Sequence, residues 1–221
     1  MLENNILSHN NCTNQKIELI DNAIDFIYNR LDEWKLYLYK EEQMQPCSEN
    51  ENNLTSKLVK FLTTYNKVEH NYYFNSEEPQ KGQCKIDIAC YGIDRKTILV
   101  IEAKRLPTPS KKREMEYVTG FENKNGGIQR FKLGIHGENY NISAIIGYVQ
   151  NKDYKYFYEQ INKWILELVK SGKDSTVKWS NDDCIKITVA EDNDKAHYKS
   201  NNTRISLENI ELHHLFINLC I

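Results

Sequence analysis

Residues Cys84-Lys85-Ile86-Asp87-Ile88-Ala89-Cys90-Tyr91 and Thr97-Ile98-Leu99-Val100-Ile101-Glu102-Ala103-Lys104 decide the fold. Both runs are rich in β-branched and aliphatic residues, and a polar turn over Gly92 to Lys96 separates them, so they read as two strands of a hairpin. Alternate side chains on a strand share a face, which sends Glu102 and Lys104 the same way and turns Ala103 aside. Asp87, across the hairpin, can be brought to the same patch. Two carboxylates and an ammonium at one spot on a strand end are expensive to desolvate unless they pair or hold a metal. They suit a hard divalent cation used in phosphodiester hydrolysis.

Working outward from this hairpin, Ser143 to Val149 is an unbroken apolar run, as a central strand buried on both faces would be. Asp153 can cap a helix that runs to Ser171, with Phe157, Ile161, Ile165 and Leu168 inward and Gly172 as its stop. Ahead of the hairpin, His70 to Asn75 reads as a strand. Residues from Ser48 to Asn66 read as a helix with Leu54, Leu58 and Leu62 on one face. Glu51 falls on that inward face, although Ser48-x-x-Glu51 also has the form of a capping box. Glu49 is the alternative acid.

Lys16 to Gln43 carries Ile17, Ile20, Ile24, Ile27, Tyr28, Leu31, Trp34 and Leu38 at helical spacing, and Gln45-Pro46 ends it. This helix is expected outside the core that follows, behind a polar leader over residues 1–15, with its apolar face packed on that core or on a partner chain. Arg113 to Ile135 reads as polar and helical, broken at Gly126-Gly127. Ile185, Ile187 and Val189 alternate as a strand, and Arg204 to Ile221 is ambiguous. The order helix, three strands, helix, strand describes an α/β layer covered on both sides.

The chain has 221 residues and a formal net charge of −2, so bulk electrostatics do not make it a coat for nucleic acid. The basic residues Lys104, Arg105, Lys111, Lys112 and Arg113 nevertheless cluster without an acid among them, in a loop that leaves the strand of Glu102. Such a loop can hold a phosphate backbone. Six cysteines are scattered without a CxxC pair and are expected to be small buried hydrophobes in a reducing compartment. No apolar run is long enough to cross a bilayer, and the first residues lack a secretory signal pattern. The expected localisation is cytoplasmic, without membrane association.

Taken together, these residues resemble the PD-(D/E)XK, or restriction-endonuclease-like, nuclease superfamily. Asp87 follows Ile86 where the family has Pro-Asp, and Glu102-Ala103-Lys104 is its acid-x-Lys triplet. Other triplets match the bare pattern, among them those beginning at Asp94, Glu122 and Asp153. Glu102 differs from them in following four aliphatic residues beside a strand that bears Asp87. The resemblance implies a restriction-endonuclease-like αβββαβ core with a mixed central sheet flanked by helices, over residues 46–221. Residues 1–45 would form an N-terminal helical extension. It implies Mg²⁺, with Mn²⁺ as an alternative, held by Asp87, Glu102, the Ala103 carbonyl and Glu51, with Lys104 orienting or deprotonating water. Gln129 and Arg130, at the start of the helix after Gly126-Gly127, would reach the scissile phosphate. Arg105, Lys111, Lys112 and Arg113 would hold the backbone.

The expected activity is therefore DNA endonuclease, with genome defence suggested by analogy at the level of fold. RNA is the other polymer such a fold takes. A catalytically silent binding or scaffold subunit is the alternative from a different class. A homodimer or a partner subunit would form through the N-terminal helix. His197, Ser200 and Arg204 are expected as a polar loop cluster able to meet a phosphate. His213-His214 is expected to be structural, with only one ring able to face the core.

Overall fold

Aliphatic runs with charged ends place the strands of this chain, and helices with one apolar stripe cover them. The computed structural model describes residues 2–65, 72–80 and 84–220, and side chains from residue 14 onward. The helices are α1 (Leu2–Lys40), α2 (Glu51–Tyr65), α3 (Gly127–Lys132) and α4 (Tyr154–Ser171). The strands are β1 (Tyr73–Pro79), β2 (Lys85–Tyr91), β3 (Thr97–Leu106), β4 (Ile142–Val149), β5 (Ile187–Glu191), β6 (Lys195–Asn202) and β7 (Ile210–Asn218). They form one mixed sheet in the order β1-β2-β3-β4-β7-β6-β5. β1, β2 and β3 are an antiparallel meander, β4 lies parallel to both β3 and β7, and β6 and β5 complete the far edge antiparallel.

The apolar run at 143–149 is the central strand that the sequence predicts, buried along its length between two parallel neighbours. Asp153 caps α4 by accepting from Tyr156 N at 2.8 Å, and Gly172 ends it at φ 59°. The predicted strand from His70 runs instead over β1; His70 and Asn71 lie outside the described residues, as does Asn66 at the predicted end of α2.

Several expectations change. The first fifteen residues are not a separate leader, because the backbone of α1 is helical from Leu2. Nor does α1 stand outside the core. Ile24, Ile27, Leu31, Trp34 and Leu38 are fully buried with Ile101, Ala103, Ile146 and Tyr148 of the sheet, and the Trp34 ring lies 5.6 Å from that of Tyr148. Ion pairs from Lys35 to Asp194 and from Lys195 to Asp32 fasten the same helix to the β6 end of the sheet. Of the two surfaces expected for its apolar stripe, the core and a partner chain, the core covers it.

The polar cluster at His197, Ser200 and Arg204 is not a surface loop. His197 and Ser200 lie on β6, all three residues are buried, and Arg204 donates to the carbonyls of Gly137 (3.0 Å) and Glu208. His213 and His214 are likewise both buried, because β7 is covered on both faces. His213 meets His197 (2.9 Å) and Glu211 (3.0 Å), whereas His214 meets Tyr117 (3.0 Å) and Ser200 (2.7 Å) on the other side. Burial, with His213 nearby, pushes the His197 and His214 imidazoles down to about 3, so both stay neutral.

The cysteine expectation also changes. Cys47 and Cys220 form a disulfide with Cα atoms 5.4 Å apart, tying the turn before α2 to the end of β7. Cys84, Cys90 and Cys184 are free thiols. Among the described residues, no helix is long and apolar enough to cross a membrane.

Because Trp34 is a wall of the core, Trp34→Ala is expected to cost about 3–5 kcal/mol of unfolding free energy in denaturant titration. A loss under about 1 kcal/mol would return α1 to the role of an appended helix.

Candidate functional site

The site begins where the β2–β3 ladder stops. Backbone pairing runs from Tyr91–Thr97 to Ile88–Ile101 and goes no further. Beyond it, the carboxylate of Asp87 accepts the N–H of Ala103 at 2.7 Å, replacing a ladder bond by a side chain. Ile101 and Ala103 face the α1–α2 layer, while Val100 faces the α4 layer. Alternation therefore puts Glu102 and Lys104 on the α3–α4 side.

There they are almost fully withdrawn from water, Glu102 at 0% and Lys104 at 5% exposure. Lys104 Nζ lies 2.7 Å from Glu102 Oε1, 3.0 Å from the Ala103 carbonyl oxygen and 3.5 Å from Glu51 Oε1. Glu51 reaches round the end of β3, its other oxygen accepting Arg105 N at 2.7 Å. It is not a capping residue, for α2 is capped by Asn50, whose Oδ1 accepts from Asn53 N at 2.9 Å. Glu49 lends its carbonyl to Arg105 and its carboxylate to Asn53, away from this point.

The predicted helix break at Gly126-Gly127 is a close approach between two backbones. A Cβ on Gly126 would lie 2.3 Å from Thr119 Cα, and Gly127 N donates to Glu116 O at 2.9 Å. Docked in this way, α3 sets Arg130 over the strand, with Nη1 3.1 Å from Glu102 Oε1. Gln129 is about 100° away round the helix and cannot share that direction. Its amide is fully buried on Gly120 N, Phe121 O and Thr176 Oγ1, so it holds a loop and does not face the site. Of the basic loop, Arg105 holds the Glu49 carbonyl at 3.0 Å and Arg113 pairs with Glu116. Lys111 and Lys112 are exposed and, among the described residues, make no ion pair.

One residue of the site has no precursor in the sequence reading. His136, in the turn after α3, is fully buried with Nδ1 3.0 Å from Glu102 Oε2. It sits outside any periodic segment, and its only signal is a lone histidine between Gly134 and Gly137.

Glu102 and the half-buried Asp87 are held in opposite states. Glu102 is desolvated, yet the cations of Lys104 and Arg130 with the His136 contact outweigh that and keep it well below the usual carboxylate range. Lys104 is correspondingly held above its ordinary value by Glu102, Glu51 and Asp87 against burial, so it stays charged. Asp87 goes the other way: burial, then repulsion from Glu102, pushes it up to about 8.

Among the described residues, no three His, Cys, Asp or Glu side chains form a ready-made metal cage. The donor set still fits Mg²⁺, which is commonly held by one or two carboxylates and completes its shell with water. The Lys104 ammonium marks where cation-seeking oxygens converge: it gathers Glu102, Glu51 and the Ala103 carbonyl at one point, with Asp87 adjoining.

A sign difference follows. With its value raised from 3.8 to about 8 in the fold, Asp87 favours the protonated native state, and its contribution is lost as pH climbs through that interval. In chelator at neutral pH, Asp87→Asn should therefore stabilise the protein by about 1 kcal/mol, or roughly 2–4 °C in Tm. Glu102→Gln should instead destabilise it by about 3–5 kcal/mol, since Lys104 is left buried and underpaired. Thermal unfolding of both variants checks this, and shifts of the same sign would contradict it. Comparison with protein-family models, curated proteins and solved structures returns no match to this chain.

Proposed function

We propose that this chain is a divalent-metal-dependent nuclease of the PD-(D/E)XK kind that hydrolyses DNA by attack of water on a phosphodiester. The observation that carries the reading is the convergence of Glu102, Glu51 and the Ala103 carbonyl on Lys104, beside the raised Asp87. The element order α2-β1-β2-β3-α3-β4 supports it, with Asp87 on β2 and Glu102-Ala103-Lys104 on β3. Asp87, Glu102 and the Ala103 carbonyl would hold Mg²⁺ or Mn²⁺, with Glu51 at the rim. The bound ion supplies an acidified water and neutralises charge on the phosphate.

This chain's own groups do the rest. Lys104, held charged by the surrounding carboxylates, would orient the water and stabilise the developing negative charge. Arg130, with a side chain 25% exposed beside a fully buried Glu102, would touch a phosphate oxygen. Lys111 and Lys112 offer free cations to the flanking backbone, a contact that positions without reading sequence.

The test is supercoiled plasmid and structured RNA incubated with Mg²⁺. Wild-type protein should cut the plasmid, chelator should stop it, and Glu102→Gln or Lys104→Ala should slow it by at least about 100-fold. Equal cutting by wild type and both variants would sink the assignment. DNA binding without cutting would favour the silent binding subunit, and cutting of RNA alone would change the polymer.

A further inference from the structure

The two oxygens of Glu102 have separate partners. Oε1 is shared by Lys104 at 2.7 Å and Arg130 at 3.1 Å, and the Arg130 side chain reaches solvent. Oε2 points back into the protein, towards the fully buried His136. That contact is short but off the axis of a well-aligned hydrogen bond, and among the described residues neither ring nitrogen of His136 has an aligned partner. Burying a polar group without its hydrogen bond costs about 1–3 kcal/mol. A leucine or phenylalanine would fill the same space without that cost.

The turn that carries His136 is nonetheless fixed from several directions. Ile135 N and His136 N both donate to the Arg130 carbonyl, at 2.9 and 3.3 Å. Gly134 and Gly137 each adopt φ +65°, and a Cβ on Gly137 would lie 3.1 Å from the Phe131 ring. The Phe131 ring stands edge-on to the imidazole at 6.0 Å. Arg204 anchors the turn from behind through the Gly137 carbonyl at 3.0 Å. A rigid mount for a side chain that does little for stability is understandable if the imidazole acts on the carboxylate in front of it.

We infer that His136 is a positioning residue: its Nδ1–H holds Oε2 of Glu102 at the back, so that Oε1 is presented to the divalent ion and the substrate. The inference rests on the nuclease reading and adds a residue to it. Groups that hold a ligating carboxylate typically change metal affinity or activity by about 10- to 100-fold when removed.

Three variants of the full chain test it: His136→Phe, His136→Asn and His136→Gln. The Asn amide nitrogen can stand where Nδ1 stands, whereas that of Gln reaches towards Nε2. Mn²⁺ binding is measured by calorimetry and by electron paramagnetic resonance, together with Mg²⁺-dependent plasmid cleavage and thermal unfolding. His136→Phe should remain folded and weaken Mn²⁺ binding by about 10-fold or more, with half-maximal cleavage moved to correspondingly higher Mg²⁺. His136→Asn should stay within a few-fold of wild type, and His136→Gln should follow His136→Phe. If wild type binds and cleaves and all three variants match it, or if Asn and Gln are impaired alike, the positioning role is overturned while the nuclease reading stands. Should His136→Phe fail to fold, the Asn and Gln pair decides alone. Wild type that neither binds Mn²⁺ nor cleaves overturns both.

Discussion

The buried pair between Glu102 and Lys104 is the constraint on which the rest of this structure depends. Two opposite charges at 0% and 5% exposure carry a desolvation cost of several kcal/mol each, and attraction between them rarely repays it with much to spare. Here the cost is offset by further charged and polar groups around the pair. Arg130 and His136 meet the carboxylate, while Glu51 and the Ala103 carbonyl meet the ammonium. Hydrophobic residues of the same size would stabilise the sheet at least as well. The pair therefore makes sense as equipment for chemistry, consistent with the nuclease we propose.

The sheet makes that arrangement possible in two ways. β2 and β3 separate after Ile88 and Ile101, and the carboxylate of Asp87 closes the gap by taking Ala103 N–H. On the other side, β4 lies parallel to β3 and is buried on both faces, so β3 cannot shift its register without moving Glu102 and Lys104 to the opposite face. Above them α3 is only six residues long, and its place is set by backbone contact through Gly126 and Gly127. Arg130 and the turn bearing His136 inherit their positions from that contact.

Much of this was legible in the sequence, for reasons that are physical. Asp87, Glu102 and Lys104 stood out because charges seldom end aliphatic runs, and β4 and α4 followed from an unbroken apolar run and a capped periodic one. α1 was legible as a helix, but an amphipathic stripe does not say which surface covers it, and here the sheet does. β6 was missed because Ala196 and Tyr198 are all that Lys195 to Asn202 offers as an apolar face. Its histidine, serine and asparagine are buried through hydrogen bonds, as His197–His213 and Ser200–His214 illustrate. His136 lies in a turn, where no period exists to mark it. The Cys47–Cys220 link joins residues 173 apart, a separation that spacing cannot predict. The basic cluster was visible as charge, yet only the fold distinguishes Arg105 and Arg113, paired within the protein, from Lys111 and Lys112, which make no ion pair among the described residues.

The central claim is that a divalent ion is bound where these oxygens converge, and diffraction from crystals soaked in Mn²⁺ tests it most directly. The account predicts an anomalous peak with oxygens of Asp87, Glu102 and the Ala103 carbonyl at about 2.1 Å, the remaining positions filled by water. An absence of any peak there under saturating Mn²⁺, with Lys104 still bridging Glu102 and Glu51, would contradict it.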